Sequence, residues 1–250
     1  DTLAQFYKTY FSMQELGRST DGDIALTDGF YNISLLKPRD GEQLGHHHYG
    51  VEIDDIHEIE AKLEEFALNA EIRKEPGDLF HGEYRIFDPN GIAISLSEKH
   101  FNVPAGEAKL PQIHHLAFMV PNNEDVLQFY MNVFGFRESS RNDQIREKNT
   151  SPTRWAADGN TAIAILPTPE WLEEHNMEPE GTNVKPGLNH FGYLVSDMDK
   201  FLQSLPPGSV SIRPDTRPAA EWRVSDPDGN PLDVSQVKGY EIDFGKWVTA

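Results

Sequence analysis

Nothing constrains this chain's fold more than its internal repetition. Gln5-Phe6-Tyr7 recurs as Gln128-Phe129-Tyr130, and at the same offset Phe11, Glu15 and Arg18 meet Phe134, Glu138 and Arg141. One copy carries Leu3, Phe6, Tyr7, Tyr10 and Phe11, the other Val126, Phe129, Tyr130, Val133 and Phe134. That spacing predicts an amphipathic helix with a single apolar stripe in each copy. A second pair follows: His48-Tyr49-Gly50 then Asp55, and His190-Phe191-Gly192 then Asp197. Each predicts a short strand running into a helix, with Ile56, Ile59 and Leu63 inward in one and Met198, Phe201 and Leu202 in the other. A third pair, Asp88-Pro89-Asn90-Gly91 and Asp226-Pro227-Asp228-Gly229, has the composition of a turn between two strands.

The order strand, helix, strands thus occurs twice in each half. We read an α+β chain of four βαβββ modules. An N-terminal half (1–103) and a C-terminal half (113–250) flank a linker at 104–112, which opens with Pro104-Ala105-Gly106. The strand Ile113–Val120 precedes the second repeated helix. Its counterpart would fall upstream of Asp1, which takes the helix-cap position, so the first strand is expected to be missing from this chain.

Composition narrows the chemistry. There are no cysteines, so disulfides, thiolate metal sites and cysteine nucleophiles are excluded, and any metal must be held by His and carboxylate. With 41 acidic against 22 basic residues and a formal charge of −19, the chain has no basic face for nucleic acid. No apolar run is long enough to span a membrane. No cationic leader precedes an apolar stretch, so a cytoplasmic location is expected. A small-molecule substrate is the expected partner, and a homo-oligomer stays open.

Three segments carry a family likeness. Ile113-His114-His115-Leu116-Ala117-Phe118-Met119-Val120-Pro121 with the Gln128-Phe129-Tyr130 helix, Leu188-Asn189-His190-Phe191-Gly192-Tyr193-Leu194-Val195, and Asp226-Pro227-Asp228-Gly229-Asn230 occur in that order. Together they resemble modules of the vicinal-oxygen-chelate superfamily, the group of glyoxalases, bleomycin-resistance proteins and extradiol dioxygenases. The resemblance implies that modules pair into two curled mixed-sheet cups. It also implies a metal held in the C-terminal cup by two His and one carboxylate, which fall here on His115, His190 and Asp233. Strand alternation agrees. Leu116, Phe118 and Val120 should face the helices, leaving His115, Ala117 and Met119 in the cup. Phe191, Tyr193 and Val195 should pack outward, leaving His190 and Gly192. Leu232 and Val234 should pack outward, leaving Asp233.

The chain departs from the pattern in several places. Asp233 replaces the usual Glu. The run Asp158-Gly159-Asn160-Thr161 lacks the acid-base His of catechol-cleaving relatives, and Arg223 stands where they carry Tyr. Trp222, Arg223 and His175, the last on the Thr168–Gly187 loop, are the candidate substrate contacts, although Arg85 occupies Arg223's place in the first half. The strand Thr161–Leu166 offers Ala162 and Ala164 where four-ligand glyoxalases need Glu. In the first half His48 stands at a ligand position but Ser95 replaces the carboxylate, so that cup is expected to be non-catalytic, with His46 and His47 exposed or closing an interface. The resemblance implies an Fe(II)-dependent, extradiol-dioxygenase-like enzyme for a substrate with vicinal oxygens. Its rivals are a redox-inert isomerase or lyase using Mn, Zn or Ni, and a binding protein stacking a planar ligand on Trp155, Trp171 or Trp222.

Overall fold

The repeated apolar stripes become helices whose buried faces sit in cores shared by both halves of the chain. The computed structural model describes residues 1–41, 44–99, 110–139, 153–159, 161–175, 186–212 and 222–236. Helix α1 (Thr2–Tyr10) buries Ala4, Phe6 and Tyr7, and helix α3 (Asn123–Phe134) buries Val126, Leu127, Phe129, Tyr130 and Val133. The Asn122 side chain caps α3 by accepting from Asp125 N–H, and Gly135 ends it at φ 67°, a left-handed value that favours glycine. Helices α2 (Ile56–Glu65) and α5 (Met198–Ser204) start on Asp55 and Asp197, whose carboxylates accept from His57 and Lys200 N–H. A short helix, α4 (Pro169–Glu174), begins on Thr168.

In the first half, β1 (Gln14–Arg18), β2 (Ile24–Thr27) and β3 (Asn32–Leu35) form one sheet. Strands β4 (Tyr49–Glu52), β5 (Arg73–Lys74), β6 (Tyr84–Phe87) and β7 (Ala93–Ser97) form another, in the order β4-β7-β6-β5. The second half repeats both patterns in a single eight-stranded sheet, β13-β14-β15-β12-β8-β11-β10-β9. Its members are β8 (Gln112–Val120), β9 (Arg137–Glu138), β10 (Arg154–Ala157), β11 (Ala162–Pro167), β12 (Gly187–Val195), β13 (Val210–Ile212), β14 (Trp222–Ser225) and β15 (Pro231–Gln236). The join is β8, parallel to β11 and antiparallel to β12. Among the described residues no strand plays that part between β3 and β4. Most of the proposed linker, including Pro104-Ala105-Gly106, lies outside the described residues.

Two apolar cores hold these layers together, and each draws on both halves. One joins Tyr49, α2, Ile86 and Ile94 to Phe118, Val120 and the α3 stripe; the other joins α1 and Phe11 to Phe191, Tyr193, Val195, Leu232 and Val234. Phe11 is fully buried with its ring 4.2 Å from that of Tyr193, and burying such a side chain contributes about 1.5–3 kcal/mol. Residues of both halves therefore cover the outer face of the second half's sheet, and the cup face is left to other residues.

The repeated turns form as expected. Asp88 Oδ1 accepts from Asn90 and Ile92 N–H, and Asp226 Oδ1 accepts from Asp228 and Asn230 N–H. Tyr7 on α1 donates to Asp226 Oδ2 at 3.0 Å, so the turn before β15 is tied to the opposite half.

Candidate metal centre

Strands β15, β12 and β8 are neighbours, and their register builds one row of residues across the sheet. Asp233 pairs with Gly192, and Gly192 pairs with His115. The row continues to Arg223 on β14 at one end and to Ala162 on β11 at the other. Residues in one register row project to the same face, so Arg223, Asp233 and His115 share the cup face. His190 lies two residues before Gly192 on the same strand. Ligand atoms of His115, His190 and Asp233 all lie within 4.8 Å of one another, and the three residues are 4%, 4% and 1% exposed. No other group of three His, Cys, Asp or Glu meets that test among the described residues.

Glycine at the centre of the row is a geometric requirement. A Cβ on Gly192 would sit 2.0 Å from His115 Cε1, 2.4 Å from Nδ1 and 2.8 Å from Nε2. The imidazole occupies the space that any side chain there would fill. Behind the row, Arg223 Nε donates to Asp233 Oδ1 at 3.0 Å, leaving Oδ2 3.0 Å from His190 Nε2. The two His rings stand at 89° with centroids 5.6 Å apart. Trp155, 6.2 Å from the His115 ring, joins Ala117, Ala157, Ala162 and Ala164 in a small apolar cluster beside the trio.

These donors fit a divalent ion. Two imidazoles and one carboxylate match the borderline-to-hard metals, and the 3.0 Å between His190 Nε2 and Asp233 Oδ2 suits two ligands each about 2.1 Å from a shared ion. Ala162 stands opposite His115, so the neighbouring strand offers no carboxylate at that level.

The substrate-contact expectations divide. Arg223 lies beside Asp233, holding a carboxylate that belongs to the protein. Trp222 pairs with Val234 and packs against the helix-facing core, so the alternation of β14 puts it on the opposite face from Arg223. His175 is exposed at the end of α4, its ring stacked 3.7 Å above Trp171 and its Nδ1 2.7 Å from the Trp171 carbonyl oxygen. Asn160 and the stretch 176–185 of the expected loop lie outside the described residues.

The outward residues fall where alternation put them, with one exception. Ile113 has the parity of His115 yet packs in the core with Phe191 and Tyr193. The β8–β12 register steps from Gly192↔His115 to Tyr193↔Ile113, so His114 is an extra residue that reverses the alternation. Burial pushes the His114 imidazole down to about 4, which keeps it neutral near pH 7.

The first half supplies an internal comparison. Gly50, Ser95 and Arg85 form the same row, and Arg85 Nη2 donates to Ser95 Oγ at 3.3 Å while Nε pairs with Glu75 at 3.2 Å. His48 is stacked on His81, and burial, then the Arg85 charge, pushes it down to about 3. His46 packs edge-on against Phe191, and His47 is exposed. Both halves therefore carry the row, and among the described residues only the second half fills it with ligand-competent side chains.

Comparison with known proteins identifies the family and the fold. A sequence profile of the Glyoxalase/Bleomycin resistance protein/Dioxygenase superfamily matches residues 112–234. That stretch belongs to the superfamily. No curated protein sequence matches the chain. Among solved structures, the 2,3-dioxygenase LapB from Pseudomonas sp. KL28 is similar at 19% identity and TM-score 0.63, over 93% of this chain and 86% of the other. The Mn(II)-bound glyoxalase from Novosphingobium aromaticivorans is similar at 17% identity and TM-score 0.62, over 99% and 82%. A 2,2',3-trihydroxybiphenyl 1,2-dioxygenase from Sphingomonas wittichii strain RW1 is similar at 14% identity and TM-score 0.59, over 94% and 84%. At these identities the likeness is one of superfamily fold: curled mixed sheets with few helices.

Proposed function

We propose that the chain is a metal-dependent, extradiol-dioxygenase-like enzyme acting on a small molecule with two adjacent oxygens. The observation that carries this is the buried trio of His115, His190 and Asp233 on one cup face, with ligand atoms within 4.8 Å. A bound Fe(II) would supply Lewis acidity and a site for dioxygen chemistry, with positions beyond the three protein ligands available to substrate.

The rest of the work falls to the protein. Arg223 holds Asp233 Oδ1 at 3.0 Å and so fixes which carboxylate oxygen faces the histidines. Gly192 admits the His115 ring. Trp155 and the neighbouring alanines form an apolar wall that raises the strength of polar contacts made beside it. His175 is not needed in this reading. The first half, with Ser95 in the carboxylate position, serves as a packing partner and not as a second centre.

The test is anaerobic loading with Fe(II), followed by oxygen uptake on a panel of catecholic compounds. Uptake that depends on iron and vanishes in His115→Ala supports the reading. Turnover of a vicinal-oxygen substrate with Mn(II), Zn(II) or Ni(II) and no oxygen consumption would replace it with the isomerase or lyase reading.

A further inference from the structure

A buried amide lies directly behind one member of the trio. Asn189 is 4% exposed, and its Oδ1 is 2.8 Å from His190 Nδ1. Consecutive residues in a regular strand point to opposite faces, so this contact needs a break in the alternation. The break is present. Leu188 pairs with Phe118 and His190 pairs with Ala117, two steps on β12 against one on β8, which makes Asn189 the extra residue of a β-bulge.

We propose that Asn189 is a positioning residue: from the bulge it takes the Nδ1–H of His190 and so makes Nε2 the nitrogen offered to the metal. This inference rests on the metal-centre reading above. Both neighbours of the ring can only accept: the amide oxygen takes the Nδ1 proton, and at Nε2, 3.0 Å from Asp233 Oδ2, a bound ion would take the place of the second proton. The contact also fixes the ring's rotation, because the amide and the imidazole are both buried and packed. Fixing tautomer and orientation from behind the ligand is how a metal-binding imidazole becomes a preorganised donor.

The first half again provides the contrast. There the residue before His48 is His47, whose Nδ1 lies 2.8 Å from His48 Nδ1, so an imidazole stands where the second half has the Asn189 side chain. That half also has Ser95 in place of the carboxylate. The asparagine side chain and the complete ligand set thus occur together.

The experiment has two readouts on the full chain. Calorimetric titration with Mn(II) compares wild type, Asn189→Leu and Asn189→Asp, each checked for folding by urea unfolding. We expect Asn189→Leu to bind about 10–100-fold more weakly, and Asn189→Asp, which keeps an oxygen acceptor, to stay near wild type. Nitrogen-edited NMR of the diamagnetic Zn(II)-loaded wild type should show His190 protonated on Nδ1 and metal-bound through Nε2. Either Asn189→Leu with wild-type Mn(II) affinity, or a wild type bound through Nδ1, overturns the assignment while leaving the centre intact. A wild type that takes up neither ion sinks the centre itself, and this assignment with it.

Discussion

Adding one methyl group to Gly192 should dismantle the proposed metal centre while leaving the fold standing. The new Cβ of Gly192→Ala would lie 2.0 Å from His115 Cε1. Carbon atoms pack at about 3.5 Å or more, so the ring must retreat by about 1.5 Å or the strands must part. Metal–ligand distances tolerate only about 0.2 Å, so a ring displaced that far no longer coordinates. We therefore expect Mn(II) affinity to fall by more than the roughly 10–100-fold lost when a partner behind a ligand is removed. Overpacking should also cost about 1–3 kcal/mol of stability, a separate quantity read from urea unfolding. Calorimetric titration of the folded variant is the assay. A Gly192→Ala protein with wild-type Mn(II) affinity would mean that the His115 ring does not lie over Gly192 in the metal-bound protein, and the row geometry would be refuted.

Three further outcomes follow from the same structure. Burial pushes the Asp88 carboxyl up from 3.8 to about 6, against backbone N–H donors that favour its charge. A raised carboxyl costs stability above its folded value and nothing below its unfolded one. Asp88→Asn should therefore stabilise the protein near pH 7 by at most roughly 3 kcal/mol, and should flatten the stability profile between about pH 4 and 6, as measured by urea unfolding across pH. Tyr7→Phe removes the 3.0 Å donor to Asp226 across the two halves and should lower the unfolding free energy by about 1–3 kcal/mol in urea titrations. His48→Ala should leave bound-metal content unchanged by elemental analysis, since the first half lacks a carboxylate in its row.

The sequence carried more of the site than of the packing that supports it. Repeated motifs located β4, β12 and the two turns, and alternation placed Phe118, Tyr193 and Leu232 outward with His115 and Asp233 inward. Bulges lie beyond such reasoning, because one extra residue in a strand leaves no mark on composition. That is why the sequence pattern does not show Ile113 changing face, or Asn189 turning toward His190. Adjacency to Arg223 suggests a pocket position for Trp222, but a period of two puts neighbours on opposite faces. The crosswise cores, with α1 over β12 and α3 beside Tyr49, depend on contacts between distant segments that no local pattern encodes. Residue type alone makes Arg223 a candidate hand for substrate; the register puts the protein's own Asp233 carboxylate beside it.

Metal content after equilibration with a divalent ion is the most direct test of the central claim. Untagged wild-type protein, exposed to Fe(II) or Mn(II) and freed of excess, should retain close to one ion per chain by elemental analysis. His115→Ala and Asp233→Asn, folded but lacking a ligand, should retain almost none. A wild type that keeps no ion, or variants that keep as much as wild type, would contradict the assignment of His115, His190 and Asp233 as one metal centre.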